Sequence, residues 1–394
     1  MSQSAASPQN ADDLLSEFSL LGGPLQRLGR RLGLVRPGPN TLPLGIALGL
    51  IPWIVLVALA ALEGDRGKFF TLSVIGGHIR LLAVIPLLFF CETTFDRQAR
   101  EFLSTLLRSG VASRAALPAL QAEVRRLARW SNSWIPDATS LAATVLMFLF
   151  AAQLHLSGKT ASPESGRTLA LMPLAGLWYW MVCLPLFRFL AFRWVWRLAL
   201  WWRFLWRLAR MELRLTPTHP DGVGGLGYLE VVQTHLAPLA FAISLLVAAG
   251  FAEEMSEGAS FDPIYLATAI IVVLDIVLFL GPPCFFAFKL MECRERGLRD
   301  YTVLAARYVE DFERKWFGEA SHDREPLLGT PDLQSLADLG NSVGVVRNMR
   351  LAPVSIRLLA IILAAALLPM PPLFLFKYPV AEMAQKLFMK LTGL

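Results

Sequence analysis

The stretch LPLGIALGLIPWIVLVALAAL, Leu42 to Leu62, runs for 21 residues without a single charged side chain. A helix needs about 20 apolar residues to cross the roughly 30 Å hydrocarbon layer of a bilayer, so this run has the length and polarity of a membrane span. Six further runs share those properties: Phe69 to Cys91, Ala138 to Leu156, Leu169 to Phe192, Val231 to Phe251, Ile264 to Phe288 and Leu358 to Phe376. Lipid offers no partner to an unpaired backbone group, and the period-two alternation of a membrane barrel is absent, so each run is expected to be helical. The expected fold class is all-α: a polytopic membrane bundle of about seven transmembrane helices with cytoplasmic helical extensions. Composition agrees, with 55% of the 394 residues hydrophobic and 17% charged, where a soluble domain carries about 25% charged residues.

Basic residues set the orientation. With seven spans, one set of connections comprises residues 1–41, 92–137, 188–230 and 289–357 and holds 4, 7, 7 and 11 Lys plus Arg; the opposite set holds 2, 2, 0 and 3. That asymmetry predicts a cytoplasmic amino terminus and an external carboxyl terminus. The domain expectation follows: a cytoplasmic tail over 1–41, a seven-helix membrane domain over 42–376 with cytoplasmic helical loops at 92–137, 193–230 and 289–357, and an external amphipathic tail over 377–394. Within the first tail, Leu14, Leu15, Phe18, Leu21, Leu25 and Leu28 recur at helical spacing before Arg27, Arg30 and Arg31, the pattern of a helix lying on an anionic surface; Gly22, Gly23 and Pro24 interrupt it, which leaves a mobile tail as the other reading. Beyond the sixth span, Leu298, Tyr301, Leu304, Tyr308, Phe312 and Trp316 form one apolar stripe at steps of three or four, so that helix is expected to continue out of the bilayer. Cys91, Cys183, Cys284 and Cys293 have no zinc-like or disulfide spacing and read as packed thiols.

The stretch FRFLAFRWVWRLALWWRFLWRLARMELR, Phe187 to Arg214, mixes basic and aromatic residues as nucleic-acid binders do. At about 100° per residue, however, Arg203, Arg207, Arg210 and Arg214 share one side while Trp194, Trp201, Trp202 and Trp206 fall mainly elsewhere. That is the pattern of a helix leaving the membrane through the cytoplasmic headgroups, Trp at the interface and Arg toward phosphates. No nucleic-acid partner is expected.

The segment THPDGVGGLGYL, Thr218 to Leu229, follows directly. Gly222, Gly224 and Gly227 match G-x-G-x-x-G, but the dinucleotide fingerprint needs a preceding strand, and an arginine-rich helix is expected here. His219-Pro220-Asp221 matches the tripeptide of J-domains, a resemblance that stops at three letters. Two readings stay open. In one the segment is a turn: Pro217 and Pro220 end the arginine-rich helix, Asp221 caps the next, and Gly222, Gly224, Gly225 and Gly227 permit a sharp re-entry and close packing. In the other, His219 and Asp221, with Glu230 and His235, form a polar site at a cytoplasmic mouth.

The succession RWVWRLALWWRFLWRLARMELRLTPTHPDGVGGLGYL, together with PDLQSLADLGNSVGVVRNMRL (Pro331 to Leu351) and IRLLAVIPLLFFCE (Ile79 to Glu92), resembles an uncharacterised family of polytopic bacterial inner-membrane proteins carrying a THPDxxGGLGxL segment. The resemblance runs from about residue 70 to 380. It implies class and a bacterial inner-membrane location, and no activity.

Charge in the bilayer is costly, so ionisable residues within spans are candidates for function. Arg80 lies in the second span just after His78, and Asp275 lies halfway along the sixth. They are expected to pair across the bundle unless the second span starts late enough for His78 and Arg80 to reach the external interface; all three are candidates for a substrate or ion path. Pro86, Pro185, Pro238, Pro282 and Pro283 lie within spans, and Gly281-Pro282-Pro283 is expected to break the sixth. No H-E-x-x-H, G-x-S-x-G, Walker or paired-cysteine motif is present, so no metal or cofactor is expected. The leading expectation is a channel, transporter or ligand-responsive membrane protein. The alternatives are a membrane-embedded enzyme using His219 and Asp221, and a non-catalytic scaffold whose partners are the lipid bilayer and further copies of itself in a homo-oligomer. Reporter fusions after residues 110, 256, 320 and 394 are expected to read inside, outside, inside and outside; a cytoplasmic signal at the carboxyl terminus would refute the seven-span count.

Overall fold

Glycine decides how the first span packs. The helix α1, Leu42–Leu62, places Gly45 and Gly49 one turn apart on its buried side. A Cβ on Gly45 would stand 2.6 Å from Cβ of Phe89, and one on Gly49 would stand 2.2 Å from the Leu81 carbonyl oxygen. The two glycines thus let α1 lie against the backbone of α2, Leu72–Arg108, as small residues four apart do between membrane helices. The computed structural model describes residues 41–64, 69–156, 173–317 and 330–377, with isolated positions from 18 to 31 and residues 388–390. The expected interfacial helix of the amino-terminal tail, the external loop after the third span and most of the carboxyl-terminal tail lie outside the described residues.

The order continues with α3 (Leu117–Asn132), α4 (Ile135–Leu156), α5 (Leu174–Ala209), α6 (Tyr228–Ser256), α7 (Pro263–Leu280), α8 (Ala287–Trp316), α9 (Pro331–Arg347) and α10 (Ile356–Leu373). The protein is all-helical and polytopic. Among the described residues, α1, α2, α5, α6, α7 and α10 are each long and apolar enough to cross a membrane, and the pair α3–α4, bent by 45°, makes a seventh candidate. Apart from α1 the spans begin or end away from the expected limits, most of all α2 and α5, which run unbroken from the apolar layer into charged segments, and α7, which ends at Leu280.

Proline explains where the spans depart from regular helix. A proline ring collides with the carbonyl four residues before it and supplies no N–H, which α1 absorbs at Pro52 without a break but which other spans meet by widening or breaking. Immediately before Pro86, Pro185 and Pro282 the chain adopts wide π turns, Ile79–Val84, Tyr179–Cys183 and Ile276–Leu280. The fourth, Pro238, stands just after the break between Thr234 and Ala237 in α6. Carbonyls near these sites find other donors: Trp202 Nε1 reaches the Leu278 oxygen at 3.1 Å, four residues before Pro282. As expected, Gly281-Pro282-Pro283 ends the sixth span; a short 3-10 turn over Pro282–Phe286 leads into α8. On α8, Tyr301, Tyr308, Phe312 and Trp316 are half-buried along the expected stripe, with Leu304 exposed beside it. α8 packs against α9 as a hairpin, closed by Lys315 on Asp332 at 2.6 Å.

Two readings of the arginine-rich stretch are corrected. The helix ends at Ala209 and not at Pro217, because residues beyond Arg210 run extended and pair with the turn after α2, Arg214 N–H donating to the Val111 oxygen at 2.7 Å. Arg214 therefore leaves the face shared by Arg203, Arg207 and Arg210. Nor do all four tryptophans sit at the interface. Trp201 is fully buried between Phe95 and Phe204, and Trp194, also buried, donates to the Leu88 oxygen. Cys284 is exposed, in contrast to the other three cysteines, which are packed.

At the basic end of the bundle a buried ionic clamp joins three helices. Glu92 of α2 accepts from Arg197 of α5 at 2.5 Å and lies 3.8 Å from Arg193, which in turn approaches Asp137 of α4 at 3.7 Å. Arg193 also donates to the Gly22 carbonyl, and Phe18 is buried against Phe204, so these positions of the amino-terminal tail are docked. Removing one member of such a cluster strands a buried charge, at a cost of about 3–5 kcal/mol. Glu92→Leu is expected to lower the thermal midpoint sharply in detergent, and Glu92→Leu with Arg197→Met to recover part of that loss. Equal and additive losses in the double-mutant cycle would show that the two side chains do not act together.

Candidate functional site

The proline-widened turns carry two of the polar side chains of the membrane interior. Arg80 stands in the wide turn of α2 and Tyr179 in that of α5, and Arg80 Nη1 donates to the Tyr179 hydroxyl at 2.5 Å. One turn before Arg80, the Gly76 N–H donates to Glu253 of α6 at 2.6 Å. His78 is fixed from both sides: Trp53 Nε1 donates to its Nδ1 at 2.9 Å, which leaves Nε2 to donate to the Phe69 oxygen at 3.0 Å. With both nitrogens engaged and Phe69 and Phe70 against the ring, His78 braces the start of α2.

The expected pairing of Arg80 with Asp275 does not form. Arg80 lies eight residues into α2, about 12 Å along it, whereas Asp275 lies twelve residues into α7, about 18 Å along it. α6 packs against both helices, while α2 and α7 share no comparable interface. Asp275 is fully buried, and the polar group facing it is the Ser244 hydroxyl of α6. Among the described residues no donor other than the Ser244 hydroxyl comes within reach of the Asp275 carboxylate. α10 closes the third side of this pocket, packing against both α6 and α7. A carboxylate in the apolar layer with no basic partner is costly in its charged form, so this position favours a bound proton or a cation.

The Thr218 to Leu229 segment folds as a knot at the basic end. Gly222, Gly224 and Gly225 take φ of 66°, 67° and 98°, values that side chains with a Cβ rarely adopt. Into this ring points Asp221, whose carboxylate accepts the N–H groups of Val223 at 2.9 Å, Gly225 at 3.0 Å and Gly227 at 2.8 Å. A Cβ on Gly227 would stand 2.8 Å from that of Asp221. His219 Nδ1 lies 2.8 Å from the same carboxylate. Asp221 thus caps the loop that delivers Tyr228 to α6, more than the helix itself. Pro217 fills the space over Gly297 of α8, where a Cβ would meet it at 2.5 Å, and Pro220 follows His219 at the turn.

Arg350 ties this knot to the far end of the sequence. Its guanidinium binds Glu230 and the Asp221 carbonyl, and its N–H donates to the Gly222 oxygen at 2.8 Å. His219 and Asp221 are therefore in contact, and Glu230 is linked to them through Arg350, which the sequence had not singled out. His235 stays apart, its Nδ1 on the Val231 oxygen of its own helix. Among the described residues no three His, Cys, Asp or Glu side chains converge as a metal set would.

No family model, no curated protein and no solved structure matches this chain. Assignment of the site therefore rests on its own geometry. Tyr179, Ser244, Glu253 and Arg350 are the polar residues that sequence reading missed. Arg350 and Glu253 left a trace by their charge alone; a tyrosine or serine inside an apolar run carries no periodic signal.

The knot is expected to respond to acid. Burial opposes ionisation of Asp221, but the N–H groups of Val223, Gly227 and Gly225, with His219, outweigh it and hold the carboxyl below its ordinary value. A depressed folded value means that the stabilisation is fully present above the unfolded aspartate pKa, about 3.9, and is lost as pH falls through the lower folded value. Asp221→Ala should raise hydrogen exchange at Val223, Gly225 and Gly227 by the equivalent of about 1–3 kcal/mol at neutral pH. Unchanged protection in that variant would show that the carboxylate does not hold the loop.

Proposed function

We propose that the protein moves a proton or a small inorganic cation, as a channel or a transporter, with Asp275 as the group that takes up the cargo within the bilayer. The observation that carries the reading is the fully buried Asp275 carboxylate, which the Ser244 hydroxyl alone faces and which no basic side chain among the described residues pairs with. An aspartate at the middle of a membrane helix costs about 2.5–3.5 kcal/mol on insertion scales, and here no pairing offsets it. Cargo does offset it: a proton removes the charge, and a cation would find carboxylate and hydroxyl oxygens as its ligands. The wide turn that begins at Ile276 supports the same reading, since such turns free backbone carbonyls next to the carboxylate. Arg80, Tyr179 and Glu253, with His78, belong to the opposite end of the same path. The cytoplasmic amino terminus and the bacterial inner membrane, from the basic-residue asymmetry and the family resemblance, complete the proposal.

Asp221 already spends its carboxylate on three backbone donors, which favours the knot as a brace over a membrane-embedded enzyme using His219 and Asp221.

The test is flux in proteoliposomes, read with a pH-sensitive dye inside the vesicles and, separately, with sodium- and potassium-sensitive dyes. Wild type is expected to pass one of these ions. Asp275→Asn should abolish the flux while leaving the thermal midpoint at or above that of wild type, because it removes an uncompensated charge. Undiminished flux in Asp275→Asn, or a large loss of stability in its place, overturns the proposal.

A further inference from the structure

The basic end holds a groove that the knot and the membrane path do not use. It lies between α3 and α5, has a volume of about 530 Å³, and is lined by Arg126 and Trp130 from one helix and Arg203, Trp206 and Arg207 from the other. We propose that this groove binds the headgroup of an anionic phospholipid, the phosphodiester between the guanidinium groups and the glycerol backbone against the two indoles.

Charge complementarity comes first. The only carboxylate that engages these arginines among the described residues is Glu123, which pairs with Arg203 at 2.6 Å and lies 3.6 Å from Arg126 and 4.0 Å from Arg207. One negative charge against three positive ones leaves an excess that an anion would balance. Arg126 and Arg207 are each 44% exposed, so both keep donors available to a ligand. The floor is pre-organised: Arg210 stacks over the Trp206 ring at 3.8 Å, and Trp130 packs against Trp196 at 5.9 Å. Arginine forks match the paired oxygens of a phosphate, and indoles favour the boundary where a ligand is polar at one end and apolar at the other.

Depth identifies the source of the phosphate. Counted from the start of α5 at Leu174, placed at the far headgroup boundary, Arg203 lies about 43 Å along the helix, at the near edge of a bilayer about 40–45 Å thick with both its headgroup layers. The groove therefore spans the headgroup layer on the face read as cytoplasmic, where anionic lipids gather. A soluble phosphate would use the arginines and leave the indoles without a role.

Native mass spectrometry of the full chain in detergent tests this. Added phosphatidylglycerol is expected to leave one more retained lipid than added phosphatidylcholine. Arg126→Gln with Arg207→Gln should weaken retention at least fivefold, while the exposed pair Arg299→Gln with Arg314→Gln on α8 should not. Arg203 is left in place because it holds Glu123, and an unchanged thermal midpoint without lipid confirms that the groove variant folds. Excess glycerol phosphate should fail to displace the lipid. Equal retention by wild type and the groove variant overturns the proposal, as does displacement by glycerol phosphate, which would reassign the groove to a soluble phosphate ligand. The outcome is independent of ion flux, since none of these residues touches Asp275.

Discussion

Everything in the bundle answers to one constraint: in lipid, a backbone carbonyl deprived of its helical donor must find another. Prolines at 86, 185 and 282 each remove a donor and block a carbonyl inside a span. The helices respond by widening, and the wide turns are where Arg80, Tyr179 and the residues after Asp275 stand. A tryptophan indole supplies part of the remedy, Trp202 donating to the Leu278 oxygen four residues before Pro282. Two of the interior polar side chains, Arg80 and Tyr179, stand in such turns, where a loosened helix gives them room, whereas His78, Ser244, Glu253 and Asp275 stand in regular helix.

How much of this could be read beforehand varies with the kind of signal. Spans were legible because length and the absence of charge are properties of a continuous run, and α1 was located to the residue. Breaks at proline were legible for the same local reason. The arginine-rich helix was misjudged because periodicity cannot see a competing partner: the extended residues after Arg210 are taken by the turn at Val111 and Ala112, far away in sequence. Trp201 looked interfacial by type and is core by packing, since Phe95, Phe102 and Phe204 surround it. The candidate site was half legible. Asp275, His219, Asp221 and Glu230 are conspicuous by charge, whereas their partners Ser244 and Arg350 are ordinary residues until the fold brings them near.

The two ends of the bundle are held by different physics. At the basic end, ionic and backbone contacts cross between segments remote in sequence: Glu92 to Arg197, Arg350 to Glu230, Arg203 to Glu123. Such contacts have strict geometry and fix the registers of α2, α3 and α5 relative to one another, while Arg350 ties the segment before α10 to the start of α6. Toward the other end, glycines and alanines let helices approach, and single polar bonds such as Gly76 to Glu253 lock them. Around Asp275 no ion pair operates among the described residues, and α6, α7 and α10 meet there mainly through apolar side chains such as Ala248, Ile271 and Met370.

That looseness has a mechanical side. α8 is a single helix of 30 residues, about 45 Å long, joined to α7 only by the short turn over Pro282–Phe286. Pro217 bears on Gly297 ten residues along, some 15 Å from the near end, which leaves about 29 Å beyond the contact. Lys289 on the Met211 oxygen and Cys293 on the Leu215 oxygen hold the near arm, and the stretch beyond that glycine is about twice as long as the stretch before it. A tilt of ~5° about Gly297 would carry Trp316 by roughly 2.5 Å while moving the turn beneath α7 by little more than 1 Å. A small rearrangement at the membrane end of α7 is in this way displayed, enlarged, at the tip of the α8–α9 hairpin.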